Sequence, residues 1–440
     1  MKDRPPWART VRRCPRALVA GAILVGTAVA ADRLVGWLEL NLQPMRQPPS
    51  ARYLLRRPEF TTEVVTNILG FREPDLPSRK PTGTRRIVVV GDSFAFGYGV
   101  AEAEAFPRQL ESLLLRTDPA SRWEVINLGV PGSDPVTYLQ HLREPGLAYT
   151  PDVVVIAVMA NDVHDAFLRK KYGHAGLSGI LRKARIEIRN HRPRWKRFAE
   201  WLLPEIYELL GTRMPGQASA PVAAARAEAA SPAGIRAATG AADDPSVKAI
   251  LHALARRLDD GDEIAQRIDR LPSDQAQGIA PVVLGDWSYE KATVQDPILR
   301  LGALLDPDAY IDGALLPRSH EASWEAMAAA LQSMVELARG EGAAVIVAFI
   351  PALQQLSRSP RSYLESLGYH WTDRTLSDTT WPDRLGPVAT RAGAGFVDFL
   401  EILRALPGEP PYFPLDGHWT ARGHELAART LATAVMATRQ

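Results

Sequence analysis

Short apolar runs alternate with amphipathic segments in two separate parts of the chain. The runs are rich in valine and isoleucine and predict buried strands. Their positions are residues 87–90, 124–127, 153–158, 344–349 and 396–398. Segments with apolar side chains at helical spacing follow them, at residues 106–115, 324–340 and 421–438. Because strands that are apolar on both sides must be covered on both faces, this alternation predicts an α/β fold with a central parallel sheet of about five strands.

The alternation breaks off between residues 168 and 319, where helical segments are predicted at 181–210 and 247–271. Residues 217–244 are dominated by alanine with scattered proline, serine and glycine, which is typical of a linker with little stable structure. The predicted order is a signal peptide or membrane anchor at 1–31, an extended lead-in at 32–83, two parts of one α/β domain at 84–167 and 320–440, and a long, mainly helical insertion at 168–319.

The N-terminal segment has the pattern of an export signal. Several arginines, from Arg9 to Arg16, precede an uncharged and mostly apolar run over residues 17–31. Ala28 and Ala30 offer a cleavage site, whereas further apolar residues at 34–38 also fit an uncleaved anchor. We therefore expect an exported protein of the periplasm or cell envelope. It would be either soluble after cleavage or held at the membrane by this one N-terminal segment.

Composition and charge narrow the range of functions. The formal net charge is +2, which is too balanced for a nucleic-acid-binding protein. Hydrophobic residues make up 46%, enough for a sizeable core, and the only cysteine is Cys14, so no internal disulfide can form. Neither property predicts an oligomeric state.

The candidate chemistry begins where the first strand of the domain ends, at Gly91-Asp92-Ser93. The carboxyl ends of parallel strands are where sites are built in such folds. Near the other end of the chain, Asp416 and His418 lie two residues apart on a predicted extended loop before the last helix. A serine becomes a good nucleophile when a histidine takes its proton and a carboxylate orients that histidine. The structural alternatives are a helix-capping serine, a turn aspartate and a polar residue at a helix N-terminus.

Two further positions could stabilise a developing negative charge. Gly132 follows the second strand, and Asn161 follows the third. Together with the backbone N–H of Ser93 they would supply three donors for an oxyanion. Their alternatives are equally ordinary, since Gly132 could form a turn and Asn161 could cap a helix.

Taken in this order, Ser, Gly, Asn and Asp-x-His, the chain resembles the SGNH (GDSL-type) hydrolases. The matching blocks are residues 91–94, 127–132, 161–162 and 416–418, the last followed by Gly423-His424. The resemblance covers about residues 85–167 and 324–440. It implies a flavodoxin-like three-layer sandwich, a catalytic triad of Ser93, Asp416 and His418, and an oxyanion hole formed by Ser93, Gly132 and Asn161.

Two departures from the family pattern refine the expected substrate. Met159 stands where the third block usually has glycine, so its side chain could narrow the pocket. Only Gly417 separates Asp416 from His418, where two residues are usual, and this spacing resembles the alginate O-acetyltransferase-type branch. We therefore expect a serine esterase that cleaves or transfers O-acyl groups, acetyl above all, on a carbohydrate or other small ester. The alternatives are a polysaccharide O-acetyltransferase and a non-catalytic carbohydrate-binding or assembly protein.

Other site types have little support in the sequence. No G-x-S-x-G motif surrounds Ser93, and the glycines after it lack a phosphate-loop or dinucleotide pattern. Asp416, His418 and His424 could be imagined as metal ligands, but the remaining sequence offers no matching Cys or His cluster with ligand spacing. We expect neither metal nor cofactor. A basic stretch at residues 182–197 is interleaved with aromatic and apolar residues. It fits a solvated helical face, attachment to anionic lipid, or recognition of an acidic polysaccharide.

Overall fold

The computed structural model describes residues 46–172, 176–188, 245–285 and 296–438, together with Thr27, Ala30 and Ala31. The Ala-rich linker at 217–244, nearly all of the predicted export segment at 1–31 and most of the basic stretch at 182–197 therefore lie outside the described residues. Among the residues that are described, no helix combines the length and the apolar character needed to cross a membrane.

The strands and helices follow the predicted alternation. The strands are β1 Arg52–Arg56, β2 Thr61–Val65, β3 Thr84–Gly91, β4 Arg122–Asn127, β5 Val153–Met159, β6 Ala344–Ile350 and β7 Gly395–Asp398. The helices are α1 Ser93–Phe96, α2 Phe106–Thr117, α3 Pro135–Arg143, α4 Asp162–Tyr172, α5 Gly176–Ile188, α6 Pro245–Ala255, α7 Gly261–Asp269, α8 Ser273–Leu284, α9 Asp296–Leu305, α10 Ala309–Leu315, α11 Glu321–Gly340, α12 Arg361–Leu367, α13 Thr380–Ala392, α14 Phe399–Arg404 and α15 Ala421–Ala437.

The last five strands form one parallel sheet in the order β4-β3-β5-β6-β7. Numbered within the sheet this order is 2-1-3-4-5, the flavodoxin-like arrangement. Every residue of β5 is buried, and so is nearly all of β3 and β6, because helices cover both faces. Helices α2 and α15 pack together, while α3, α4 and α13 gather around α11. The predicted α/β three-layer sandwich with about five parallel strands is confirmed.

Helices that lie between β5 and β6 along the chain share a second hydrophobic core. Leu181 of α5, Ile250 of α6, Ile268 of α7, Val283 of α8 and Leu301 of α9 are all buried in it. Arg185, the third cation of the basic stretch, donates to the backbone oxygens of Val282 and Val283 over 2.7 and 2.6 Å. At this position the basic stretch therefore ties α5 to α8 within the protein.

The lead-in contains more structure than the sequence predicted. Instead of a plain extended segment, β1 and β2 pair as an antiparallel hairpin in which Arg52 lies opposite Val65. Leu55 and Val64 are its buried apolar residues, and they pack against Phe96 and Tyr98. A two-stranded hairpin has little stability alone, so this packing holds it in place beside the carboxyl end of β3.

Candidate active site

Ser93, His418 and Asp416 form one hydrogen-bonded row. Nε2 of His418 lies 2.7 Å from Oγ of Ser93, and Nδ1 of the same ring lies 2.5 Å from Oδ1 of Asp416. The structure thus brings together three residues that were predicted from opposite ends of the chain. In this arrangement the imidazole can accept the serine proton on one side while the carboxylate fixes its tautomer on the other.

The position of Ser93 follows from the tight turn between β3 and α1. A Cβ on Gly91 would lie 2.8 Å from Cβ of Ala95 and 3.0 Å from Cβ of Ala157, so only glycine fits there. Asp92 caps α1, because its Oδ1 accepts the backbone N–H of Phe94 over 2.9 Å. Burial raises the pKa of Asp92 to about 6. The sequence thus places Ser93 as the first residue of a short helix that begins directly at the sheet edge.

The loop that carries His418 is anchored by its neighbours. Trp419 is buried and packs edge-on against Phe94 and Phe399. The His418 ring, by contrast, lies against Tyr98, with 4.5 Å between ring centroids. A buried indole on one side of the backbone therefore leaves the imidazole on the side of the serine.

The segment from Phe413 to His418 is a turn, so the predicted extended loop was wrong in detail. Gly417 has a φ of +85°, and its N–H donates to the backbone oxygen of Phe413 over 2.8 Å. This left-handed conformation favours glycine and reverses the chain between Asp416 and His418. The single glycine between the acid and the base is therefore what lets their side chains meet.

The two remaining predicted residues lie beside the serine. Ser93, Gly132, Asn161 and His418 all line one cavity of about 700 Å³. Gly132 has a φ of +73°, in the region that favours glycine, and no atom lies within 4 Å of where its Cβ would be. The space on the side where a side chain would lie is therefore open.

Asn161 is held by the helix that it precedes. Its Nδ2 donates to Oδ2 of Asp165 over 2.7 Å, while its buried Oδ1 accepts no hydrogen bond and so does not cap α4. An amide NH₂ has two N–H donors, and the bond to Asp165 uses one of them. The other is left for a ligand in the cavity.

Asp162 stabilises the turn that follows β5. It is buried, and its carboxylate accepts from the hydroxyl of Tyr138 over 2.7 Å and from the backbone N–H of Met159 over 3.0 Å. Burial raises the pKa of Asp162 well above its usual range. The Asn-Asp pair after β5 therefore divides two tasks: Asp162 braces the turn, and Asn161 faces the cavity.

A second, smaller cavity opens on the other side of the nucleophile. It has a volume of about 180 Å³ and is lined by Ser93, His418, Met159, Tyr310 and Gly313, among others. The cavity of about 700 Å³ extends instead along the hairpin, past Tyr53 and Leu55. Ser93 and His418 therefore lie where two cavities of unequal size meet.

His424 takes no part in this arrangement. It is buried, its ring stacks on Phe106, and its Nδ1 accepts the backbone N–H of Phe106 over 3.3 Å. Burial lowers its pKa to about 3. Within the described residues, no group of three or more His, Cys, Asp or Glu side chains could hold a metal ion.

Sequence reasoning missed several residues of the site. Asp165 carried a signal, because it stands one helical turn after Asn161. Tyr310 and Glu59, which contact the small cavity and the His418 loop, carried none that could be read locally. Both lie in parts of the chain that the motif blocks do not include.

Comparison with known proteins gives two family matches. The GDSL-like lipase/acylhydrolase family model matches residues 89–270, and the SGNH hydrolase-like domain of the acetyltransferase AlgX matches residues 310–440. No curated protein matches the chain.

Solved structures that are similar to the chain include the following three. TesA is 13% identical, with 79% of this chain and 96% of TesA covered and a TM-score of 0.32. A putative acylhydrolase from Bacteroides fragilis is 12% identical, with 83% of this chain and 93% of the acylhydrolase covered and a TM-score of 0.32. A catalytic mutant of Axe2, an acetylxylan esterase from Geobacillus stearothermophilus, is 12% identical, with 80% of this chain and 94% of Axe2 covered and a TM-score of 0.32.

The two family matches divide the site between them. The first includes Ser93, Gly132 and Asn161, and the second includes Asp416 and His418. The members of these families are esterases and related acyl-group enzymes, which agrees with the chemistry that the residue row allows. The chain belongs to the SGNH (GDSL-type) hydrolases, with a likeness to AlgX in its C-terminal part.

Proposed function

We propose that the protein is a serine esterase that cleaves or transfers an O-acyl group, acetyl above all, on a carbohydrate. The observation that carries this proposal is the row from Ser93 through His418 to Asp416, with distances of 2.7 and 2.5 Å. A serine hydroxyl in such a row is activated for attack on an ester carbonyl.

The reaction would proceed through an acyl-enzyme. Oγ of Ser93 attacks the carbonyl carbon while Nε2 of His418 takes its proton, and Asp416 stabilises the resulting imidazolium. As the tetrahedral intermediate collapses, the ester C–O bond breaks and His418 returns the proton to the leaving alcohol. Water, deprotonated by His418, then attacks the acyl-serine and releases the acid. When a sugar hydroxyl attacks instead, the acyl group is transferred.

The negative charge of the intermediate would be held by three donors. These are the backbone N–H groups of Ser93 and Gly132 and the side-chain amide of Asn161, as the family resemblance implies. The shared cavity and the clamp between Asn161 and Asp165 support this assignment, because a donor that is already oriented needs no reorganisation during the reaction.

The sizes of the two cavities support a short acyl group and a larger alcohol. A cavity of about 180 Å³ is smaller than the pockets that hold drug-sized ligands, whereas about 700 Å³ is well within their range. We assign the acyl group to the small cavity and the carbohydrate to the large one. Gln47, Arg52 and Tyr53 line the large cavity and offer hydrogen-bonding groups and an aromatic ring to sugar hydroxyls and ring faces.

One observation favours transfer over hydrolysis. The C-terminal match is to the domain of an acetyltransferase, and it includes the acid and the base of the proposed triad. A polysaccharide O-acetyltransferase is therefore the second candidate function. We also propose that the protein acts in the cell envelope, because of the basic and apolar pattern of residues 1–31.

The test measures acylation of Ser93 directly. The protein is incubated with a fluorophosphonate and, separately, with acetylated sugars, and the modified residue is located by mass spectrometry. We expect Ser93 to react and Ser93→Ala to lose both labelling and acetate release, with the partly exposed Ser357→Ala as the matched control. Full activity of a clean Ser93→Ala preparation would end the proposal. Sugar binding without any labelling would favour the non-catalytic binding protein. Acetylated acceptor sugar among the products would identify a transferase.

A further inference from the structure

The turn of the N-terminal hairpin contacts the loop that carries the acid and the base. Glu59, between β1 and β2, accepts two backbone N–H groups with the same carboxylate oxygen. Its Oε2 lies 3.0 Å from the nitrogen of Leu415 and 2.7 Å from the nitrogen of Asp416. These partners follow Glu59 by 356 and 357 residues, so the contact joins two distant parts of the chain at the site.

The same hairpin also reaches His418 through Tyr98. Arg57 donates to the hydroxyl of Tyr98 over 2.9 Å, and the Tyr98 ring lies 4.5 Å from the His418 ring. Phe60 contacts both Tyr98 and Phe413, with ring centroids 5.8 and 4.9 Å apart. Glu59 and Phe60 therefore contact the loop between Phe413 and His418 directly, and Arg57 reaches it through Tyr98.

The contact with Glu59 completes the hydrogen bonding of the turn. The turn is closed internally by the bond from Gly417 to Phe413, and the N–H groups of Leu415 and Asp416 point outward to Glu59. Hydrogen bonds from N–H groups to a carboxylate are among the stronger ones in proteins. Because Asp416 holds His418 through a distance of 2.5 Å, a shift of its backbone would be passed on to the imidazole.

We infer that the β1–β2 hairpin is part of the active site and that Glu59 is a positioning residue for Asp416 and His418. This inference rests on the proposed roles of Ser93, His418 and Asp416. Both family matches leave the hairpin out, since they begin at residues 89 and 310. Glu59 lines neither cavity, so it acts on the catalytic row and not on substrate binding.

The experiment compares Glu59→Ala, Glu59→Gln and Glu63→Ala in the full chain. Glu63 is a matched control, because it lies in the same hairpin and pairs with the exposed Arg52. We expect Glu59→Ala to lower kcat about ten- to a hundred-fold with KM within about two-fold, as a displaced catalytic group does. Glutamine keeps an oxygen that can accept both N–H groups, so Glu59→Gln should recover to within about three-fold of the wild type.

The rate of Ser93 labelling by a fluorophosphonate provides a second readout that is independent of the natural substrate. It should fall in Glu59→Ala by the same factor as kcat and recover in Glu59→Gln. If Glu59→Ala does not fold, a Glu59→Gln variant that folds and is as slow as an Asp416→Ala variant would overturn the inference. So would a folded Glu59→Ala with the kinetics of Glu63→Ala. Failure of the proposed function would look different, since the wild type itself would then not be labelled.

Discussion

Met159→Ala is expected to change which acyl chains the protein accepts. Met159 ends β5, is 8% exposed, and lines the small cavity that we assign to the acyl group. Alanine would remove the three outer heavy atoms of the side chain and leave the backbone bond to Asp162 in place. The cavity would lengthen where the Met159 side chain now lies.

The magnitude follows from the burial of additional methylene groups. A butyryl group has two methylenes more than acetyl, and each contributes about 0.8 kcal/mol when it is buried. If the wild-type cavity excludes them and the variant admits them, the difference is about 1.6 kcal/mol, or roughly fifteen-fold in relative kcat/KM. The variant should also be less stable by about 2 kcal/mol, the low end for a buried methionine.

The assay measures kcat/KM for matched acetyl and butyryl esters of one alcohol. The ratio of the two values is the quantity to follow, because a general loss of activity cancels from it. Such a loss is expected, because the backbone nitrogen of Asn161 lies 3.1 Å from the Met159 sulfur and would lose this contact. Met334→Ala is the control: Met334 is fully buried in α11 and lines neither cavity. It should reduce stability and leave the ratio unchanged.

An unchanged ratio in a folded Met159→Ala protein would refute the reasoning. The small cavity would then not hold the acyl group, and the assignment of the two cavities would have to be reversed. With the assignment reversed, substitutions of Tyr53 in the large cavity should alter the preference for acyl chain length.

Two further predictions concern groups behind the site. Asp165→Ala should release the Asn161 amide and lower kcat about ten-fold with little change in KM. Asp165→Asn keeps an oxygen that can accept, so its kcat should lie closer to that of the wild type. Equal kcat values of the two variants would speak against the clamp between Asn161 and Asp165. Burial lowers the pKa of His424 to about 3, so the unfolded chain binds a proton below its ordinary value near 6.5 that the folded protein does not. Stability is therefore lost as the pH falls from 6.5 toward 3. The wild type should lose about 3 kcal/mol more than His424→Asn between pH 8 and pH 4, measured by urea unfolding; equal losses in the two proteins would contradict this prediction.

The sheet could be predicted from the sequence because its strands are buried on both faces. A run such as Val153 to Met159, with every residue buried, has no competing interpretation once helices flank it. The hairpin gave no such pattern. Arg52 and Arg56 are exposed at the ends of β1, and Leu55 and Val64 are the only apolar residues buried in the two strands. Too few apolar positions were left to indicate a strand pair.

The residues of the site also differ in how far the sequence predicts them. Ser93, Asp416 and His418 could be predicted because acyl chemistry restricts the residue types and strand ends restrict their places. Glu59 could not, because a carboxylate that accepts two backbone N–H groups has no sequence partner to indicate it. The turn at Gly417 lay between these cases: the glycine was visible, but its conformation depends on the surrounding loop.

The distance along the chain between Ser93 and His418 has a consequence for how the protein acquires reactivity. The two residues are separated by 325 positions, and closing so long a loop comes late because its entropy must be offset by other contacts first. Until Trp419 is buried and the last loop docks, Ser93 is an ordinary hydroxyl without a base. A newly made or partly unfolded chain would therefore carry no activated serine, and fluorophosphonate labelling would report completion of the fold.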